Sequence, residues 1–282
     1  MTVIQHRTLW TLAGACVLVA VLIAAARFVR DERAAAKSHA NLADVSRAIE
    51  LLETDPSLIQ RETQAAVRRA AVGVEAGEIA TPRGFYLLGL QYLRERDFSS
   101  AEALLRRAIH HSPEWPLPHS ALGRLLGRHA VGRLQDGEAA LRQAIELDPT
   151  LAEAWNSLAV VLRLQANLEE AEQAARRAVE LAPDTVGPHN NLANLYMALE
   201  NYDEAEREYR YAIELDDSHA KPYYNLACLY AILGRTDEAI KHLEAAVQRA
   251  AVLRLEAAGD PDLASLRSDP RFGRLIATPD EN

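Results

Sequence analysis

Residues 152–185 read AEAWNSLAVVLRLQANLEEAEQAARRAVELAPDT, and residues 186–219 read VGPHNNLANLYMALENYDEAEREYRYAIELDDSH. Laid one above the other, the two strings repeat one pattern of small and apolar residues with a period of 34. Leu158-Ala159, Leu192-Ala193 and a third copy at Leu226-Ala227 keep that spacing, as do Ala171, Ala205 and Ala239, and then Ala178, Ala212 and Ala246. Pro149 and Pro183 close successive units. Self-similarity of this length marks stacked units, each burying its apolar face on the next.

Outward from these two strings, the same motif is written five times, over 82–115, 116–151, 152–185, 186–219 and 220–249. The period and its small residues resemble the tetratricopeptide repeat family, whose unit is two antiparallel helices. The resemblance runs from Pro82 to about Ile276. It implies an all-α solenoid of about five helix pairs with a C-terminal capping segment over 250–282. Helix axes that approach to about 8–10 Å need small side chains where they cross. Gly89, Gly123, Ala159, Ala193 and Ala227 supply them on the first helices, with Ala101, Gly137, Ala171, Ala205 and Ala239 facing them. Phe85, Tyr92, Trp155, Tyr196, Tyr209, Tyr223 and Tyr230 fill the space between pairs.

Asp97-Phe98-Ser99-Ser100, Asn167-Leu168-Glu169-Glu170, Asn201-Tyr202-Asp203-Glu204 and Arg235-Thr236-Asp237-Glu238 each put a capping type at the start of a second helix, three of them ahead of acidic residues, which predicts side-chain caps there. Gly123 and Ala159 are 36 residues apart, which places a two-residue insertion and a bulged turn at 129–133. After Arg249 two Asp-Pro steps, Asp260-Pro261 and Asp269-Pro270, start short helices. Leu263, Leu266 and Phe272 are then placed to cover the exposed end of the stack.

Ahead of the repeats, Thr8 to Ala26 carries no charge, and nineteen helical residues span roughly 28 Å, about the thickness of a bilayer core. This predicts a transmembrane anchor within 1–30, membrane contact through 8–29, and Trp10 and Phe28 at the two interfaces. A cleaved leader ending at Ala24-Ala25-Ala26 is the competing reading, disfavoured by the length of the run and by Arg27 directly after it. Lipidation at Cys16 fits less well, because apolar sequence continues beyond it. Arg27, Arg30, Arg33 and Lys37 against Arg7 alone favour a cytoplasmic repeat domain, while the short amino tail also suits an exported one. Residues 31–81 read as a helical linker or a degenerate repeat. Leu42, Val45, Ile49 and Leu52 give it one apolar face, and Asp55-Pro56 turns the chain.

A net charge of −9 over 282 residues argues against a phosphate-backbone binder, so nucleic acid is not an expected partner. Two cysteines imply no disulfide framework. Gly127 and Gly132 are spaced like a phosphate loop, but the lysine and hydroxyl that hold phosphate and magnesium are missing. His110 and His111 point to different helix faces, and helix capping accounts for Asp260 and Asp262 more simply than metal binding does. No cofactor, metal or catalytic residue is assigned, and the chain does not read as an enzyme.

In the resembled family the first helix of each pair lines the ligand surface. By register the facing residues here are Arg124, Arg128, Asn156, Arg163, Asn190, Asn191, Asn194, Lys221, Tyr224 and Asn225. Asparagine offers donors and an acceptor at once, so a row of them can hold the backbone of an extended peptide. Arg124, Arg128, Arg163 and Lys221 add positive charge. The expected ligand is therefore an extended or acidic segment of a partner protein. Asn191 and Lys221 fit two places of the carboxylate clamp known in the family, but Val160 and Asn225 stand where that clamp needs Asn and Arg. The expected function is a membrane-anchored, non-catalytic scaffold. The alternative is a substrate-presenting subunit of a membrane-associated enzyme complex of the glycosyltransferase, protease or cytochrome-assembly type.

Overall fold

Thr81 and Pro82 set the first described boundary by simple chemistry. The Thr81 hydroxyl accepts from the Gly84 N–H at 3.1 Å, and Pro82 sacrifices no bond because the first N–H groups of a helix lack partners. Helix α1 (Pro82–Glu95) and helix α2 (Phe98–His111) bury Phe85, Leu87, Leu88, Leu104 and Leu105 between them. A Cβ on Gly89 would lie 3.2 Å from the Leu105 side chain, so this crossing is close. The computed structural model describes residues 81–130 and 132–277. α1 and α2 belong to one compact unit, and the chain from Pro113 onward forms a second. The membrane span expected over 8–26 and the helical segment expected over 31–81 lie outside the described residues, apart from Thr81. Among the described residues no helix is long and apolar enough to cross a membrane.

The second unit runs α3 (Pro116–His129), α4 (Leu134–Leu147), α5 (Ala152–Leu164), α6 (Leu168–Leu181), α7 (Val186–Ala198), α8 (Tyr202–Leu215), α9 (Ala220–Ile232) and α10 (Thr236–Arg249). Each odd-numbered helix packs along the even one that follows it, and each pair packs on the next. The small-residue rows lie in these crossings. Ala171, Ala178, Ala193, Ala205, Ala212, Ala227, Ala239 and Ala246 are all 0% exposed. Tyr209 and Tyr230 are the largest of the fully buried side chains between them.

The turns inside the pairs correct one expectation. Asp97 does cap α2, its carboxylate accepting from the Ser100 N–H at 3.1 Å. Asn167, Asn201 and Arg235 make no side-chain cap bond. The turn is instead set by the helix before it. Ala166, Glu200 and Gly234 are left-handed, with φ of 61°, 59° and 71°. The next N–H reaches back five residues, from Asn167 to Leu162, Asn201 to Tyr196 and Arg235 to Tyr230, at 2.8–2.9 Å. This is the Schellman ending. The same ending precedes α2, where Arg96 is left-handed at φ of 64° and the Asp97 N–H reaches the Tyr92 carbonyl at 3.0 Å, so ending and cap are independent of one another. Asn167 Nδ2 donates to Glu170 instead, and Arg235 to Glu238. In the inserted turn, Gly132 is left-handed with φ of 74°.

Between pairs the turns are closed by a ring. His119 Nε2 donates to the Pro113 carbonyl at 2.8 Å, Trp155 Nε1 to Pro149 at 2.9 Å, and His189 Nε2 to Pro183 at 2.8 Å. Asp217 and Tyr223 hold the same places at the fourth such turn, and a tyrosine has no ring N–H. There Arg249 from α10 donates to the Asp217 carbonyl and lies 4.0 Å over the Tyr223 ring.

Beyond α10, α11 (Leu253–Gly259), a 3-10 helix (Pro261–Leu266) and α12 (Pro270–Ile276) close the stack. Leu263, Leu266 and Phe272 are buried at 0%, 0% and 2% exposure. The 3-10 helix packs on α9, and Arg271 of α12 pairs with Asp237 of α10 at 2.8 Å.

Candidate functional site

The first helices α5, α7 and α9 touch one another in sequence, so residues at equal repeat positions form columns on a shared face. Across that face runs a ladder of hydrogen bonds. Asn191 Nδ2 donates to Asn156 Oδ1 at 2.8 Å, and Asn225 Nδ2 donates to Asn190 Oδ1 and Asn194 Oδ1, both at 2.9 Å. The Tyr209 hydroxyl donates to Asn194 Oδ1 at 2.6 Å. The last rung uses the capping segment, with the Tyr224 hydroxyl donating to Asp260 Oδ2 at 2.7 Å. The same two positions in α3 and α5 are Ser120 and Ser157, both buried, and the Ser120 hydroxyl has no partner among the described residues. The ladder therefore begins at α5. Each neutral rung contributes about 0.5–1.5 kcal/mol to the stack.

The ladder uses one edge of each amide. Asn156 Nδ2, Asn190 Nδ2, Asn191 Oδ1, Asn194 Nδ2 and Asn225 Oδ1 have no partner among the described residues. Gly187 keeps space open here: a Cβ at that position would lie 3.9 Å from Asn156 Nδ2.

At the α3 end the face is cationic. Arg124 Nη1 pairs with Glu153 Oε1 at 2.5 Å. Arg128 is held below the ordinary arginine value, first by partial burial and then by the charge of Arg124, with Glu153 offsetting part and Arg163 adding to it. Arg128 thus lies within reach of two like charges, Arg124 on its own helix and Arg163 on α5. At the α9 end Lys221 is spoken for. Its ammonium lies 2.7 and 2.8 Å from the two carboxylate oxygens of Glu256, and 5.3 Å over the Tyr224 ring. Tyr224, 3% exposed, is closed over by the capping segment.

The ten residues named from sequence thus fall into three groups along the first helices α3, α5, α7 and α9. Arg124, Arg128 and Arg163 gather at one end, and Asn156, Asn190, Asn191, Asn194 and Asn225 form the laddered middle. Lys221 and Tyr224 are engaged by the chain's own C-terminal segment. Sequence reasoning missed Glu153, Glu256 and Asp260, the carboxylates that occupy this face from within. Glu153 was within reach, since it stands 68 residues, two periods, before Lys221. Glu256 and Asp260 lie after the last full repeat, where register no longer places a residue.

Cys228, Asp260 and Asp262 each bring one ligand atom to within 4.8 Å of the others. Hydrogen bonds account for Asp260, which accepts from Tyr224 and from the Asp262 N–H at 2.9 Å. Burial pushes the Cys228 thiol up, away from the thiolate that binds metals.

Repeated helix pairs with alanine crossings and a laddered first-helix face make this an all-α solenoid of the tetratricopeptide kind. Family models described as tetratricopeptide repeat match residues 140–173 and 184–251. Among solved structures, the chain is similar to a thermophilic tetratricopeptide repeat protein of Thermus thermophilus. Identity is 22% and the TM-score 0.58, over 63% of this chain and 97% of that one. It is also similar to PilF of Pseudomonas aeruginosa, at 20% identity and a TM-score of 0.55, over 69% of this chain and 88% of that one. Likeness at these identities establishes the fold. No curated protein matches in sequence.

Proposed function

We propose that this protein is a non-catalytic scaffold that holds an extended segment of a partner protein on the face of α3, α5, α7 and α9, and that residues 8–26 tether it to a membrane. The observation that carries the proposal is the row of amide edges left open by the ladder. Donors and acceptors at repeat spacing suit a peptide backbone, whose own N–H and C=O groups alternate, and they do so without reading side chains. The ladder itself holds those amides in place before any ligand arrives, which lowers the ordering cost of binding. The uncharged run at 8–26 supports the tether, and fixing the scaffold at a surface raises its effective concentration for partners there.

Site-specific photo-crosslinking in living cells tests this. A benzophenone amino acid placed at Leu164 or Ala198, exposed on this face, is expected to give a discrete adduct recovered from carbonate-washed membranes. The same probe at Arg177 or Arg207, exposed on the second helices, is expected to give none. Adducts only at Arg177 and Arg207 would move the site elsewhere, and adducts lost on washing would remove the tether.

A further inference from the structure

Arg128 of α3 and Arg163 of α5 form no ion pair or hydrogen bond with any described residue. Arg128 stands one helical turn after Arg124 on α3, α3 packs on the α5 that carries Arg163, and the charges of both neighbours act on Arg128, on a chain whose net charge is −9. Like charges gathered in this way raise the free energy of the empty face, and an incoming anion relieves it. Arg124 does have a partner, Glu153, but both side chains are about one-third exposed, at 36% and 35%. An ion pair so open to water is weak and is readily exchanged. Glu153 also sits in the first turn of α5, where the positive helix end supports its charge when Arg124 turns away.

We propose that Arg124, Arg128 and Arg163 form the carboxylate-binding end of the peptide site, and that Glu153 is a built-in stand-in whose place on Arg124 an acidic side chain of the partner segment takes. The proposal rests on the peptide-binding reading above and adds chemistry and direction to it. Guanidinium groups grip carboxylates through paired N–H donors, which a lysine cannot reproduce. From the arginines the segment continues past Leu164, 48% exposed, toward the asparagines of α7 and α9. A nucleic acid does not suit the same face. Its phosphates would meet Glu153 at one end and Glu256 and Asp260 at the other, and tight binding needs a long cationic track.

Fluorescence anisotropy on the full-length protein in detergent micelles reads the effect directly, with labelled octaglutamate, octaglutamine and oligothymidylate as probes. Octaglutamate is expected to bind in a salt-sensitive manner, with octaglutamine and oligothymidylate each at least about tenfold weaker. The double variant Arg128→Gln and Arg163→Gln should weaken octaglutamate by about tenfold or more, and the Lys pair at the same positions by less. Glu153→Gln should tighten it by about threefold, because the internal competitor is gone. Equal binding by the Gln pair, weaker binding by Glu153→Gln, or equal affinity for oligothymidylate overturns the proposal. Panning a displayed random dodecapeptide library on the same protein separates the two readings. Ligands that need an open face, tested by Leu164→Arg with Ala198→Arg, but carry no excess of Asp and Glu, sink the arginine end and spare the peptide site. Ligands indifferent to that blocking pair sink both. Acid-rich ligands lost in the Gln pair support both.

Discussion

Where α3 crosses α4, a Cβ on Gly123 would lie 2.5 Å from Leu141 and 2.8 Å from the Gly137 carbonyl, and one on Gly137 would lie 2.8 Å from the Gly127 nitrogen. Where α7 crosses α8, Ala193 and Ala205 supply the methyls, and both are fully buried. One pair therefore closes by removing side chains and the other by fitting them. The removal has a cost, because each helical glycine forgoes about 1 kcal/mol relative to alanine. The glycine pair also carries the two-residue insertion and Arg128, while the alanine pairs carry Arg163 and the ladder and adjoin the cap. The comparison teaches that the repeat fixes where helices cross and leaves open how closely each crossing approaches. In this protein the cationic end of the face begins on the crossing that glycine closes.

The comparison is tested hardest at the cap. Phe272→Ala removes a buried aromatic side chain and should lose about 3–5 kcal/mol, confined to the α7–α10 end. Trp115 and Trp155 lie in the first half of the second unit, and no tryptophan follows them. In urea, the far-ultraviolet circular dichroism transition of this variant should therefore move to lower denaturant, while tryptophan fluorescence lags behind. Coincident transitions would show that the two ends unfold as one and that the contrast between them has no energetic meaning.

A smaller effect separates the two kinds of crossing. Gly123→Ala should destabilise by about 1–3 kcal/mol despite its better helix propensity, since the new methyl meets backbone that cannot yield. Ala193→Gly, the reverse change in the other pair, should also destabilise, by about 1–2 kcal/mol from the lost methyl and the added chain entropy. Urea midpoints of the two variants decide this. A gain in stability from Gly123→Ala would mean that the α3 crossing is looser than described.

The smallest expected effect is one of pH. His189 is 5% exposed, with Nδ1 at 2.6 Å from Glu208 Oε2 and Nε2 on the Pro183 carbonyl. Burial opposes its charge, but the bonds to Glu208 and Pro183 outweigh that, and its pKa is raised above the ordinary 6.5. A charge favoured by folding contributes stability that is fully present below that ordinary value and is lost as pH rises through the raised one. Melting temperatures of the wild type should thus fall relative to Glu208→Gln between mildly acidic and mildly alkaline buffer. A constant difference between the two proteins across that range would remove His189 from the account.

Much of the architecture could be read from the chain because it is written repeatedly. A period seen at Leu158, Leu192 and Leu226 averages out the local exceptions that mislead a single helix. The caps were misread at Asn167 and Asn201, whose side chains carry the acceptor that a cap needs and do not use it. The face was legible as a set of positions, since register alone places Asn156, Asn190 and Tyr224 in one column. What register could not show is that the asparagines bond to one another, or that Lys221 and Tyr224 are taken up by Glu256 and Asp260. Those are contacts between units, and one of their partners lies where the repeat has stopped.

The ring closures between pairs have a consequence for the order in which the chain is assembled. His119, Trp155 and His189 each close their turn from six residues away, so those three bends can set almost as soon as they leave the ribosome. The fourth bend has no such local latch. Its Asp217 carbonyl waits for Arg249, 32 residues later and on the far helix of its own pair. Synthesis from the N-terminus therefore delivers three bends latched by a ring and then a fourth that, until α10 has formed, rests on the bonds of Asp216 to the Ser218 and His219 N–H groups.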